Sequence, residues 1–292
     1  MSITFIFVLL APITYGLVNI IDKYFCSKKI RNPFSYAVVV GMAHIIIGTI
    51  IASFLSWDNI PASALIYPAI IGCLYAAMVL IYYYALFNED VSEVVAIDNS
   101  YPIIVAILSF FILHENIGVL GYIALALIIL GVINLEKRME KIHLDMKIWV
   151  LILMPIITGL QEFIIKLSTE SISEFNALAI NSLVAGTIII FAIFLKKTRE
   201  DFHHDIKNIW FALLNESLTV LAILFIFLAM KYYPATIVSA FDAIGPLFVL
   251  LIEKVILTKI DGVTKDKALK PKLEGVLLII IGFVMMTVVG VI

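Results

Sequence analysis

The feature that most constrains this sequence is a series of ten apolar blocks, each close to twenty residues long. An α-helix rises about 1.5 Å per residue, so a block of this length crosses a hydrocarbon core of ~30 Å. Short alternating segments, which indicate a membrane β-barrel, are absent from the sequence. The sequence therefore predicts an all-α integral membrane protein with ten transmembrane helices, here called spans 1 to 10: 3–21, 34–55, 65–86, 91–113, 117–135, 148–167, 175–195, 209–230, 234–257 and 273–292.

Composition supports this prediction. Hydrophobic residues make up 63% of the chain, charged residues 14%, and the mean hydropathy is +1.10, whereas soluble domains carry roughly 25% charged residues. The connections between blocks are short and leave no room for a soluble catalytic domain. The first block lacks a basic leader, so we expect a retained helix rather than a signal peptide. The cysteines, Cys26 and Cys73, indicate neither a disulfide framework nor a metal site, and no cofactor is expected.

The chain contains an internal repeat, which appears when the sequence is aligned with itself at an offset of 143–144 residues. In one match, APITYGLVNIIDK (11–23) aligns with MPIITGLQEFIIK (154–166), placing a proline, a glycine and a lysine in register. In the other, ALFNEDVSEVVAIDNSYP (85–102) aligns with AMKYYPATIVSAFDAIGP (229–246). Hydrophobic bias alone does not place polar and helix-breaking residues in register twice, so the repeat is genuine.

Each repeat is five spans long, with residues 1–143 forming the first and 144–292 the second. Five is an odd number, so the second repeat must enter the membrane from the opposite side. We therefore predict inverted repeats, an architecture common among secondary transporters.

Orientation follows from the basic residues. The loops after spans 1, 3, 5, 7 and 9, together with Lys254 near the end of span 9, carry 18 of the 20 lysines and arginines, and this side is here called the basic face. The positive-inside rule makes this face cytoplasmic. We therefore predict a multi-pass protein of the cell membrane with both termini outside.

Two repeated aspartates are the first candidates for function. Asp98 in span 4 and its equivalent Asp242 in span 9 each precede a proline, Pro102 or Pro246, by four residues. A charge at bilayer depth costs at least ~2.5 kcal/mol, and a backbone carbonyl freed by proline must be buried in protein or face water. We predict that both helix breaks line an interior path and that the aspartates bind substrate or protons, with a structural role as the alternative. Glu253, further along span 9, would extend this path toward the cytoplasm.

Four further residues join the predicted substrate or proton site. Asn19 in span 1 and Glu162 in span 6 are repeat equivalents, and Glu162 precedes Lys166 by four residues, so an ion pair between these two is expected. Asn215 and Glu216 in span 8 have no polar counterpart in span 3, which makes Glu216 a candidate for binding an ammonium group or a proton. Structural roles stay open for all of them.

Two other polar features have simpler interpretations. His44 in span 2 is expected to be a packed, hydrogen-bonded residue. The tyrosines at 82–84 and Phe87 are expected to form an interfacial aromatic belt, with Tyr83 facing a cavity as the alternative.

The arrangement resembles a known family. Ten spans in two inverted halves, the closing helices GYIALALIILGVI (121–133) and GVLLIIIGFVM (275–285), and Glu115 after span 4 are similar to the EamA type of the drug/metabolite transporter superfamily. The resemblance implies a secondary carrier of small metabolites, often an amino-acid exporter, with a central cavity framed by spans 1, 3, 4, 6, 8 and 9 and with spans 5 and 10 at the periphery.

The sequence departs from that family pattern in three respects. Lys259 stands where the repeat of Glu115 is expected, and a lysine-rich insertion at 258–272 separates spans 9 and 10. Family members commonly keep both termini cytoplasmic, which is the reverse of the orientation that the basic residues predict.

The predicted function is therefore secondary transport of a small polar, amino-acid-like metabolite by alternating access, coupled to protons, with export favoured over import. A passive channel or a signalling membrane protein is the alternative, and an intramembrane aspartyl protease is a remote one because the YD and GxGD motifs are absent. No phosphate loop, HExxH, GxSxG or CxxC motif is present, so we expect neither an enzyme with catalytic residues nor a bound metal. The expected partners are a small solute and the bilayer, not nucleic acid, with a homodimer left open.

Overall fold

The protein is built from helices in the part of the chain that its computed structural model describes, namely residues 4–28, 30–88, 94, 97–135, 147–248 and 269–291. Glu253 and the insertion at 258–272 lie outside these residues. The helices are α1 (Phe5–Lys28), α2 (Pro33–Ser53), α3 (Ile66–Asn88), α4 (Pro102–Ile112), α5 (Gly118–Leu135), α6 (Lys147–Ser168), α7 (Glu174–Ile190), α8 (Lys196–Asp205), α9 (Ile209–Tyr232), α10 (Ala235–Asp242) and α11 (Leu269–Val291).

The outer surface of the helices is suited to lipid. Five described segments are long and apolar enough to cross a membrane: Phe5–Asp22, Pro33–Ser53, Ala62–Ala85, Glu174–Phe194 and Lys196–Tyr232. Large apolar side chains point outward, with Phe111 70%, Val119 77% and Trp210 78% exposed. Water would disfavour so much exposed apolar area, whereas acyl chains solvate it. The chain is thus a multi-pass membrane protein, while the count of ten crossings stays a prediction.

Equivalent helices of the two repeats run in opposite directions where they meet. On α2 and α7, Gly41 approaches Gly186, and Gly48, further along α2, approaches Leu183, earlier on α7. A Cβ atom placed on Gly186 would lie 2.5 Å from the carbonyl oxygen of Gly41, so the two backbones are in direct contact. Glycine at both positions permits this approach.

The last helix of each repeat forms a second antiparallel pair. A Cβ atom on Gly131 of α5 would lie 2.8 Å from the carbonyl oxygen of Gly275 of α11, and one on Gly282 would lie 2.8 Å from that of Ala124. Gly131 and Gly275 occupy equivalent positions in the 144-residue repeat. Equivalent residues that face each other across antiparallel helices mark a pseudo-two-fold axis, as inverted repeats require.

Two further contacts between the repeats border the centre of the molecule. Helices α1 and α9 are antiparallel, since the Thr4 and Tyr233 hydroxyl oxygens lie 3.1 Å apart at one end and the Asn215 amide donates to Asp22 at 3.0 Å near the other. The equivalent helices of the other repeat, α6 and α3, also pack together. These two helix pairs lie on either side of the interior that holds the polar side chains.

Helix α8 was not anticipated from the sequence. Its sequence, KKTREDFHHD, is highly charged, yet Asp205 at its end is fully buried. The Asp205 carboxylate accepts hydrogen bonds from the Arg31 amide at 3.3 Å and from the Ser35 hydroxyl. Helix α8 therefore holds the α1–α2 connection in place on the basic face.

Both predicted helix breaks are present in the backbone. A turn at 99–101 separates Asp98 from α4, which begins at Pro102, and α10 ends at Asp242 just before a turn at 243–244. The carbonyl of Asp98 accepts the amide of Tyr101 at 2.9 Å, so the turn reuses the group that proline releases. Here the carboxylate, rather than a freed carbonyl, is left to face the interior.

The predicted orientation can be tested by thiol labelling. For this test, Cys26 and Cys73 are replaced with serine, and one new cysteine is introduced as Asn116→Cys or Lys197→Cys. Both positions are exposed, and they lie on opposite faces of the protein. We expect a membrane-impermeant maleimide to label N116C in intact cells and K197C only after permeabilisation, because lysine-rich loops are retained inside. Labelling of K197C alone in intact cells would reverse the assignment.

Candidate functional site

A polar cavity of about 120 Å³ lies between the two repeats. Its lining comes from spans 1, 3, 4, 6, 8 and 9, the set that the family resemblance implies, while α5 and α11 pair outside it. The lining residues are Tyr15, Val18, Asn19, Asp22, Tyr75, Met78, Val79, Tyr82, Tyr83, Asp98, Asn99, Tyr101, Thr158, Gln161, Glu162, Glu216, Thr219, Asp242 and Gly245.

Acidic side chains dominate this lining. Five carboxylates face the cavity, from Asp22, Asp98, Glu162, Glu216 and Asp242, and no lysine, arginine or histidine is among its described lining residues. Buried carboxylates are stable only with hydrogen-bond donors, a bound cation or a proton. The cavity is thus built to attract positive charge.

One group of carboxylates lies toward the basic face and is called the Asp22–Glu216 pair. Asp22 accepts hydrogen bonds from the Asn215 amide at 3.0 Å, the Tyr83 hydroxyl at 3.2 Å and the Tyr82 hydroxyl at 3.4 Å. These donors come from α9 and α3, so Asp22 joins three helices of the two repeats.

Glu216, the other member of this pair, is held by a histidine. The Nε2 atom of His44 lies 2.9 Å from Glu216 Oε2, and the Tyr75 hydroxyl lies 3.5 Å from the same oxygen. The His44 ring is fully buried, and its Nδ1 atom has no hydrogen-bond partner among the described residues. The sequence identified His44 as a packed, hydrogen-bonded residue, and the structure adds that its partner is a cavity carboxylate.

The second group, called the Asp98–Asp242 cluster, contains the repeated aspartates and Glu162. Asp98 accepts the Thr158 hydroxyl at 2.9 Å, and Asp242 accepts the Tyr101 hydroxyl at 2.7 Å. Each aspartate therefore receives a donor from another part of the chain rather than from its own turn: Asp98 from α6, and Asp242 from the turn before α4. Thr158 precedes Glu162 by one helical turn on α6, so Asp98 lies beside the Glu162 face of that helix.

Two oxygens of this cluster have spare bonding capacity. Glu162 is only 4% exposed, and its Oε2 atom has no hydrogen-bond partner among the described residues. Asp242 Oδ1 is also buried and has no hydrogen-bond partner among the described residues. Buried acceptors of this kind are rarely left unpaired, so both oxygens can accept a hydrogen bond from a donor that enters the cavity.

The structure brings most of the predicted site residues together. Asp98, Asp242, Glu162, Glu216 and Asn19 all line the cavity. The side chain of Asn215 instead supports Asp22. Pro102 and Pro246 are buried next to the lining residues Tyr101 and Gly245.

The expected ion pair between Glu162 and Lys166 is wrong. The Lys166 ammonium instead donates to the carbonyl oxygens of Met230 at 2.6 Å and Tyr233 at 3.0 Å, where it caps the end of α9. Cations at a helix C-terminus are stabilised by the carbonyl dipoles. Glu162 is thereby left to the cavity.

A neighbouring contact fixes the start of α10. Both carboxylate oxygens of Glu115 accept the amide of Ala235, at 3.2 and 3.0 Å. A carboxylate at a helix N-terminus satisfies an amide that has no partner within the helix. Glu115 and Lys166 together hold the α9–α10 turn on the face opposite to the basic one.

A larger hollow on the surface is a poor candidate for a polar solute. It measures about 620 Å³ and lies between α4 and α5, among side chains such as Phe110, Phe111 and Leu130. Apart from Tyr122, the described residues that line this hollow are all apolar. Its walls suit acyl chains, so the smaller acidic cavity is the candidate site.

Comparisons with known proteins agree with the fold and with the repeat. The model of the EamA-like transporter family matches residues 2–135 and 145–288, one match to each repeat. An uncharacterized protein of Methanocaldococcus jannaschii is 33% identical over 131 residues, which are 44% of this chain and 92% of that protein. A crystal structure of another protein has a TM-score of 0.77 and 13% identity, with 99% of this chain and 97% of that chain covered. The last similarity shows a shared fold over the whole chain.

Proposed function

Given that this chain belongs to the EamA-like transporter family, we propose that it is a secondary carrier that moves a small polar organic solute by alternating access. Family membership makes it a membrane transporter. The finer assignment depends on one observation, the acidic cavity enclosed between two oppositely directed repeats. Relative rocking of two such repeats opens a central site to one side of the membrane at a time.

Proton exchange at the cavity carboxylates would drive the transport. A carboxylate that binds a proton in one state and a cationic solute in another couples the two through differential affinity. Asp98 and Asp242 suit this role because they occupy equivalent positions in the two repeats and each accepts a hydrogen bond from a hydroxyl group. By analogy with the family, the solute moves outward and protons move inward.

The test is transport by the purified protein in liposomes. Vesicles loaded with a mixed library of radiolabelled small metabolites are diluted into buffer of different pH, and retained solutes are identified. We expect saturable efflux of a restricted set of solutes, accelerated by an inward proton gradient, and counterflow when the unlabelled solute is placed outside. Counterflow requires a carrier, so linear flux without it would show a passive channel, and the absence of flux for every solute would refute transport.

A further inference from the structure

We infer that the solute carried through the acidic cavity is a small organic dication, such as a linear aliphatic diamine. This inference rests on the proposed function, because it names the class of solute for the same site. It begins from the charge of the lining, which has five carboxylates and, among the described lining residues, no cationic side chain.

The carboxylates form two groups rather than one. Asp22 accepts the side-chain amide of Asn215, the residue next to Glu216, whereas Asp98 accepts the hydroxyl of Thr158, which lies one turn from Glu162 on α6. Both groups face one cavity, since all five residues line it. A solute with a positive charge at each end can satisfy both groups at once, whereas a monocation leaves one group uncompensated.

The surface between the two groups suits a methylene chain. Tyr15 precedes Asp22 by seven residues on the same face of α1, so it lines the cavity about two turns away from the Asp22–Glu216 pair. Val18, Met78 and Val79 complete this part of the lining. Aromatic and aliphatic side chains contact methylene groups favourably, and an aromatic face also attracts ammonium groups.

Glu162 provides a direct docking point for an ammonium group. Its side chain is buried within the Asp98–Asp242 cluster, and its unpartnered Oε2 atom belongs to a residue that lines the cavity. Asp242 Oδ1 offers a second acceptor without a partner among the described residues. An alkylammonium group carries three donors and no acceptor, so it matches acceptors of this kind.

Two competing solute classes fit less well. A divalent ion such as Ca²⁺ needs about six or more oxygen ligands. Within the described residues, no group of three or more acidic, histidine or cysteine side chains is placed to hold a metal ion. A zwitterionic amino acid has a carboxylate, and the described lining offers it no cation. The cavity volume of about 120 Å³ is also below the roughly 300–1,000 Å³ of sites for drug-sized ligands.

Three solutes with the same carbon chain test the inference. Purified protein in liposomes is offered radiolabelled 1,4-diaminobutane, 1-aminobutane or 4-aminobutanoate under an imposed proton gradient. We expect the diamine to be transported at least tenfold faster than either of the others at equal concentration. Equilibrium binding of the labelled diamine to the protein in detergent should show the same preference.

A variant of the docking residue and a matched control locate the effect. Glu162→Gln keeps the shape of the side chain and removes its charge, so we expect the KM for 1,4-diaminobutane to rise at least tenfold with a much smaller change for 1-aminobutane. Asp58→Asn changes an exposed aspartate far from the cavity lining and should leave both values unchanged.

The outcomes separate the inference from the proposed function. If 4-aminobutanoate or 1-aminobutane is transported as fast as the diamine, or if E162Q does not alter diamine transport, the dication assignment fails. If the diamine does not move while another solute of the library shows counterflow, the assignment again fails and the carrier function stands. If no solute shows counterflow, both are refuted.

Discussion

Replacing Asp242 with asparagine is expected to reduce proton-driven transport at least tenfold while leaving the folded protein intact. The asparagine side-chain oxygen can still accept the Tyr101 hydroxyl, which lies 2.7 Å from Asp242 in the native protein. Asparagine cannot, however, exchange a proton or balance a cationic solute. A tenfold loss corresponds to about 1.4 kcal/mol, which is close to the lower end of the roughly 1.5–3 kcal/mol measured for hydrogen bonds to charged groups.

Asp98→Asn should give the same result through the equivalent contact to Thr158. Initial rates of solute uptake into liposomes, measured over a range of external pH, should fall and lose their pH dependence in both variants. Asp58→Asn is the matched control, because it makes the same chemical change at an exposed position. Native rates with a native pH response in both cavity variants would refute the assignment of these aspartates to substrate or proton binding.

A leucine at Gly186 is expected to lower the melting temperature of the purified protein by about 5–10 °C. A Cβ atom at this position would lie 2.5 Å from the carbonyl oxygen of Gly41 and 2.8 Å from the side chain of Ile45. Since the first of these contacts is with backbone, no rotamer change relieves it, and α2 and α7 must separate. Overpacking of this kind costs about 1–3 kcal/mol or more, and each kcal/mol shifts the melting temperature by ~2–4 °C in chains of 150–250 residues.

Gly245→Ala provides the control for this prediction. A Cβ atom on Gly245 has Pro12 O at 3.8 Å as its nearest neighbour, which is an ordinary contact distance. Thermal unfolding in detergent, followed by tryptophan fluorescence or by the loss of the monodisperse peak in gel filtration, compares the two variants. An equal melting temperature for G186L and native protein would show that the two helices are not in contact.

The repeated features of the site could be predicted from the sequence because they occur twice. Asp98 and Asp242 stand out in apolar spans, and the repeat places each four residues before a proline. The inversion followed from the odd number of spans in each repeat. The antiparallel contact of Gly131 with Gly275 then shows in three dimensions what the alignment had indicated.

The unrepeated features could not be predicted in the same way. Asp22 was missed because span 1 was taken to end at 21 and the charged residues after it were assigned to a loop, whereas α1 continues to Lys28. A signal was present, since Asp22 directly follows the apolar block. The hydrogen-bond donors to Asp22 are distant in sequence, and one of them, Asn215, belongs to the other repeat. No local sequence pattern therefore reveals these contacts.

Side-chain direction was the other obstacle. The tyrosines at 82–84 were interpreted as an interfacial belt, yet Tyr82 and Tyr83 both donate hydrogen bonds to Asp22 inside the protein. That interpretation is wrong for these two residues and its alternative is correct for Tyr83. A run of like residues covers every face of a helix, so the sequence does not show which members point inward. Lys166 was paired with the wrong partner for a related reason, because its carbonyl acceptors lie on α9.

The meeting of Gly131 and Gly275 has a consequence for assembly. Because these equivalent residues touch each other across α5 and α11, the contact surface is self-complementary and does not depend on the peptide that links the halves. Two separate five-helix polypeptides of identical sequence, inserted in opposite orientations in the membrane, could make the same contact as an antiparallel dimer. In the fused chain each half can vary independently, and Glu216, which has no polar counterpart in span 3, is one position at which the halves differ.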